Sequence, residues 1–187
     1  MRADVRTVAI LLVAAATAAI GAGEPPIKVD PARSHADFDV NVLLLFRGRG
    51  NFGAIFGEVS VDADGHATVQ ARIPIASLDM RREDQERWAK GPDFFDAARW
   101  PEILFRSDPV PLARLRDGGP LPGRLTIRGT ERSQVFELAP AGCERPGHDC
   151  PIAASGSMRR SDFALGEGRR TLSDRVRLRF EIMLEQD

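Results

Sequence analysis

The chain has 187 residues, 43% of them hydrophobic, with 26 Lys plus Arg against 27 Asp plus Glu and an isoelectric point near 6.3. Such proportions suit one folded domain and exclude a long disordered chain. A net charge of −1 also excludes the strong positive field on which sequence-independent nucleic-acid binding rests, so no nucleic-acid partner is expected.

Residues 1–22 carry Arg2 and Arg6, then the apolar run Val8 to Ile20, then small residues ending at Ala22. That is the pattern of a secretory signal peptide. The run is shorter than the roughly 20 residues an α-helix needs to cross a bilayer, which makes a membrane anchor the weaker alternative. Cleavage after Ala22 would release a soluble, exported chain, expected in the periplasm. A domain of this size buries about 70% of the surface its unfolded chain exposes and forms its core without metal or disulfide.

Most of the remaining chain alternates apolar and polar residues with period two, the signature of strands with one buried face. Phe38, Val40 and Val42 share one face, and Val69, Ala71 and Ile73 share another. Between these runs, Asp62-Ala-Asp-Gly65 reads as a hairpin turn, because glycine supplies the positive φ that tight turns demand. Ser77 to Lys90 interrupts the alternation with Glu83/Arg87 and Glu86/Lys90 at i,i+4 spacing. It predicts a short surface helix with Ser77 as N-cap. Phe94, Phe95 and Trp100 then crowd one connection, and aromatic residues so dense are expected to be buried.

Further strands are predicted at Ile103 to Ser107, Arg124 to Arg128, Gln134 to Leu138 and Ala153 to Met158. The last is the clearest: from Arg175 to Glu185, Val176, Leu178, Phe180, Ile182 and Leu184 face one way and charged residues mostly the other. Cys143 and Cys150 flank a short loop. In an oxidising compartment they pair as a disulfide, and a metal site completed by His148 is the alternative, with a spacing that fits no zinc pattern. Strand, turn and strand repeating without βαβ units give an antiparallel barrel or sandwich.

Parts for catalysis are few. No Gly-x-Ser-x-Gly, His-Glu-x-x-His or P-loop pattern occurs. His35, His66 and His148 read as surface histidines, and the carboxylate pairs Asp37/Asp39 and Glu83/Asp84 read as solvated faces rather than acid–base pairs. No catalytic residue, metal or cofactor is assigned, and the chain is read as a binding protein rather than an enzyme. Ten phenylalanines and two tryptophans without a tyrosine fit a lumen that excludes water. A barrel of about eight strands is either filled by side chains or holds one small ligand, and composition leaves both readings open.

Several strings resemble one known family. Asp30-Pro-Ala-Arg-Ser-His-Ala-Asp-Phe38, Arg49-Gly-Asn-Phe-Gly-Ala-Ile-Phe-Gly57 and Ile75-Ala-Ser-Leu-Asp79 come first. The most specific string is Gly91-Pro-Asp-Phe-Phe-Asp-Ala-Ala-Arg-Trp-Pro-Glu-Ile-Leu-Phe-Arg-Ser107, and Gly123-Arg-Leu-Thr-Ile-Arg-Gly129 and Arg160-Ser-Asp-Phe163 follow in order. Together they resemble the YceI-like family of exported, lipocalin-like barrels that bind polyisoprenoid lipids, over residues 27–187.

The resemblance implies an all-β, antiparallel eight-stranded barrel with one or two short helices and a lengthwise hydrophobic channel. Its cargo would be a polyisoprenoid or similar long-chain lipid, an isoprenoid quinone included, held for carriage or sequestration. The alternative is a filled barrel acting as a protein-interaction or redox accessory module, with a membrane cytochrome as partner. Oligomeric state is open, a homodimer among the options. The expected inward-facing, ligand-binding residues are Phe38, Val40, Phe52, Phe56, Ile73, Phe94, Phe95, Trp100, Phe105, Ile127, Phe136, Phe163, Phe180 and Ile182. Asp93, Asp96 and Asp162 are expected to hold turns. The chain departs from the family pattern at Gln85-Glu-Arg-Trp-Ala89, where Trp88 stands in the place of a histidine, and in the added segments Arg114 to Gly119 and Cys143 to Cys150.

Overall fold

A computed structural model describes residues 25–42, 46–166 and 172–186. Residues 1–22, expected from their sequence to be a leader, lie outside the described residues. Strands run in chain order as β1 (Ile27–Lys28), β2 (His35–Val42), β3 (Phe46–Phe52), β4 (Phe56–Val61), β5 (His66–Pro74), β6 (Leu78–Met80), β7 (Glu102–Ser107) and β8 (Val110–Pro111). β9 (Gly119–Ile127), β10 (Thr130–Leu138), β11 (Ile152–Arg159) and β12 (Leu172–Ile182) complete the set. Two helices, α1 (Glu83–Lys90) and α2 (Arg114–Asp117), interrupt it, with 3₁₀ turns at Ile75–Ser77 and Ser161–Phe163.

All strands join one curled antiparallel sheet in the order β1-β4-β5-β7-β9-β10-β11-β12-β2-β3-β6, with β8 beside β5. The all-β antiparallel architecture read from the alternation is therefore found. Twelve strands are found among the described residues rather than eight, and β1, β6 and β8 are short ones of two or three residues.

β1 and the residues after it draw the two arms of the sheet together. The Val29 N–H donates to the Gly57 carbonyl at 2.8 Å, while the Asp30 N–H donates to Met183 at 2.9 Å and the Glu185 N–H to Lys28 at 2.8 Å. The N-terminal strand thus spans from β4 to the end of β12, strands that lie far apart in the sheet order.

Alternation decides which face each strand buries. In β12, Val176 is buried and Leu178, Phe180 and Ile182 pack on the core, while Arg175, Arg177, Arg179 and Glu181 are exposed. The hairpin after β4 forms as expected: the Asp62 carboxylate accepts from the Asp64 and His66 N–H groups at 3.0 and 2.8 Å, and Gly65 takes φ 77°.

The helix begins later than its charge pattern suggests. Ser77 does not cap it; its hydroxyl donates to the Pro74 carbonyl at 2.8 Å, and Leu78–Met80 becomes β6, paired with β3. Burying Leu78 against Phe52 across that pairing outweighs the local helical preference. α1 starts at Glu83, and of the two expected ion pairs Glu86–Lys90 closes, at 2.6 Å. Nor is α1 wholly a surface helix, since Ala89 is buried.

One end of the barrel carries the β9–β10 turn, the loop of residues 91–97 and the turn Ser161–Phe163. Arg128 ties these together, donating to Ala164 O at 2.6 Å and to Pro92 O at 2.9 Å. In the same loop Asp96, at φ 51°, accepts from the Arg99 and Trp100 N–H groups through its backbone carbonyl. The other end carries α2 and the Cys143–Cys150 loop, which docks where the Leu184 N–H donates to Gly147 O at 2.8 Å.

Candidate ligand cavity

The buried faces of the strands do not meet in the middle. They surround a cavity of about 350 Å³, near the lower end of the roughly 300–1,000 Å³ typical of ligand pockets. Leu115, Leu138 and Ile152 lie at the α2 end of its wall, and Gln85, Trp88 and Ala89 of α1 contribute at the other. Aromatic rings line the space without filling it.

Those rings form two series. Phe38, Phe52, Phe95, Phe94 and Trp88 follow one another with centroids 5.8, 5.9, 4.9 and 4.9 Å apart. Phe105, Phe136 and Phe180 form the second, each step 5.0 Å and edge to face. Edge-to-face contacts fix ring positions beyond what area burial does, so the wall is shaped rather than merely greasy.

Of the residues expected to face inward, Phe38, Val40, Phe52, Ile73, Phe94, Phe95, Phe105, Ile127, Phe136, Phe180 and Ile182 lie on the cavity wall. Three do not. Phe56 pairs with Arg72 on the outer face and is 39% exposed, because Ile55 takes the buried position just before it. Trp100, also 39% exposed, lies outside, its indole over Gly129, where a Cβ would fall 2.5 Å from Trp100 Cη2. Phe163 is fully buried, but it sits in a 3₁₀ turn, beyond the period-two register, and packs behind the wall.

The sequence reading missed Trp88, Met80, Leu121, Leu125 and Met158 on the wall. Leu125 was open to discovery, since it lies two residues before Ile127 on the same face. Trp88 was hidden in a segment read as solvated.

Asp37, Gln85 and Arg160 are the polar residues among those lining the cavity, and Asp37, between the inward Ala36 and Phe38, shares the outer face of β2 with Asp39. Arg160 is only 6% exposed, and its guanidinium donates to the carbonyls of Leu165 at 2.6 Å, Ser173 at 2.8 Å, Leu172 at 3.0 Å and Gly166 at 3.4 Å. Burial pushes its pKa down, and the nearby Asp174 charge pushes back.

The other charged candidates are committed elsewhere. Asp39 is not on a solvated face: it is buried on the outer side of β2, with Arg179 2.9 Å and Arg49 3.2 Å from its carboxylate oxygens. Asp84 is paired with Arg82 at 2.8 Å, which holds its carboxyl below the usual range. His35 faces Glu181 and His66 faces Asp62, at 3.9 and 3.7 Å, both away from the cavity wall. Cys143 and Cys150 are bonded to each other, with Cα atoms 6.1 Å apart, which overturns the alternative metal site with His148.

The family model described as YceI-like domain matches residues 27–184. Among solved structures, the chain is similar to BcnA of Burkholderia cenocepacia, at 22% identity and a TM-score of 0.69, covering 84% of this chain and 99% of that one. It is similar to a polyisoprenoid binding domain from Saccharophagus degradans implicated in plant cell wall breakdown, at 14% identity and a TM-score of 0.65, covering 86% and 98%. A YCEI protein of Campylobacter jejuni aligns at 25% identity and a TM-score of 0.59, over 74% and 85%. No curated protein matches the chain.

Proposed function

The chain belongs to the YceI-like domain family, and from that membership together with its cavity we propose that it holds a polyisoprenoid or similar long-chain lipid for carriage or sequestration. The observation that carries this reading is an apolar space of about 350 Å³ walled by two series of aromatic rings. Each CH₂ buried there contributes roughly 0.8 kcal/mol, so a chain of isoprene units needs few polar contacts. The likeness to a polyisoprenoid binding domain supports the same ligand class.

The leader pattern of residues 1–22 supports export, and the Cys143–Cys150 disulfide suits an oxidising compartment such as the periplasm. An isoprenoid quinone as cargo would make a membrane cytochrome a natural recipient. A change in cytochrome absorbance on mixing the quinone-loaded protein with envelope membranes tests that step.

Native mass spectrometry of protein purified from its own host, followed by solvent extraction, tests the main proposal. A stoichiometric lipid is expected in the extract. Protein that is empty on isolation and stays empty after incubation with isoprenoid quinones would overturn it.

A further inference from the structure

We infer that Arg160 anchors the oxygen-bearing head of the lipid, a carbonyl or an anionic oxygen, and thereby sets the direction in which the chain enters the cavity. The inference rests on the lipid-binding reading and adds which end of the ligand lies where.

Arg160 follows β11 at the end of the barrel that carries the turn Ser161–Phe163, and it is a buried cation on a wall whose other polar residues among those lining it are Asp37 and Gln85. A guanidinium has five N–H donors. Bonds to Ser173, Leu165, Gly166 and Leu172 engage four of them and fix the plane of the group. Among the described residues, the remaining Nη2 hydrogen has no acceptor.

All four partners are neutral carbonyls. The neighbouring acid, Asp174, turns its carboxylate to Ser161, accepting from the N–H at 2.8 Å and the hydroxyl at 2.9 Å. The positive charge is thus held by dipoles without a directly bonded counter-ion, in a setting where a charge acts more strongly than in water. An electron-rich oxygen placed beside it gains a charge-assisted hydrogen bond, whereas a hydrocarbon gains nothing. Gln85 adds a neutral amide to the wall. At the opposite end Leu115, Leu138 and Ile152 are apolar. The head therefore belongs at Arg160 and the tail toward Ile152.

Three probes of six isoprene units each test this by competitive binding: squalene, a hexaprenyl quinone and hexaprenyl monophosphate. The wild-type protein is expected to bind at least one headed probe tenfold or more tighter than squalene. Preference for the quinone would identify a neutral carbonyl head, and preference for the phosphate an anionic one. Arg160→Gln and Arg160→Lys are expected to narrow the gap to within threefold, with circular dichroism and thermal melting as the readout that the barrel is intact. Equal binding of all three probes by wild type, or a preference that survives in a folded variant, overturns the anchor while leaving lipid binding standing. If none of the three binds, the lipid reading falls and the anchor falls with it. Should Arg160→Gln fail to fold, the Arg160→Lys comparison and the wild-type preference still decide.

Discussion

The ring of Phe136 occupies the space a side chain on Gly156 would need: a Cβ built there lies 2.6 Å from Phe136 Cδ1. Phe136 is also the middle ring of the series Phe105–Phe136–Phe180. Gly156→Ala is therefore expected to press the ring into the cavity and to cost about 1–3 kcal/mol, the usual range for overpacking. Denaturant unfolding checks the stability, and lipid titration should show weaker binding by the folded variant.

Chain length offers a second test. With roughly 0.8 kcal/mol per buried CH₂, affinity for a series of isoprenoid quinones should rise steeply with each added unit. It should level off once the chain fills the cavity of about 350 Å³. A calorimetric series from one to eight units locates the plateau, and affinity independent of length would contradict burial in the lumen.

The Arg128 contacts make a third prediction. Its guanidinium holds Ala164 O and Pro92 O, and charged hydrogen bonds contribute about 1.5–3 kcal/mol each. Arg128→Ala should loosen residues 91–97 and 161–166 together, seen as faster hydrogen exchange in both segments, and should speed lipid release.

A fourth concerns pH. The Ser161 N–H, and after it the Ser161 hydroxyl, hold the Asp174 carboxyl below the usual carboxylate range despite some desolvation. The unfolded chain then binds this proton more readily than the folded one. Its contribution is fully present above the ordinary aspartate value of about 3.9 and is lost as pH falls through the lower folded value. Asp174→Asn should flatten that acid limb in a series of thermal melts.

Removing the Cys143–Cys150 bond is the fifth. The cysteines are seven residues apart, and closing so short a loop is worth roughly 2–3 kcal/mol in the chain-entropy account. The double Cys→Ala variant should unfold at lower denaturant by that margin. Because the loop docks on Leu184 through Gly147, the loss should appear first in hydrogen exchange at the α2 end.

How much was legible in the sequence follows from what each residue's neighbours reveal. The inward set of β12 was readable because alternation runs unbroken from Val176 to Ile182. Phe56 was misplaced because Ile55 and Phe56 are both apolar, so period two could not choose between them until Arg72 was found opposite Phe56. Ser77 looked like a helix cap because its true partner, Pro74 O, and the pairing of Leu78 with Phe52 depend on tertiary structure. Arg160 was unreadable for the same reason. In sequence an arginine signals solvent, and the carbonyls of Leu165, Leu172 and Ser173 are what make its burial tolerable.

The bridge made by residues 28–30 also bears on how the molecule folds. These residues hydrogen-bond to Met183 and Glu185, so each segment closes only with one made about 150 residues away in the chain. Contacts of such sequence separation give a high contact order and slow folding. Until the residues that follow β12 are made, the segment that starts at β1 has nothing to bridge to, and the two arms of the sheet stay untied.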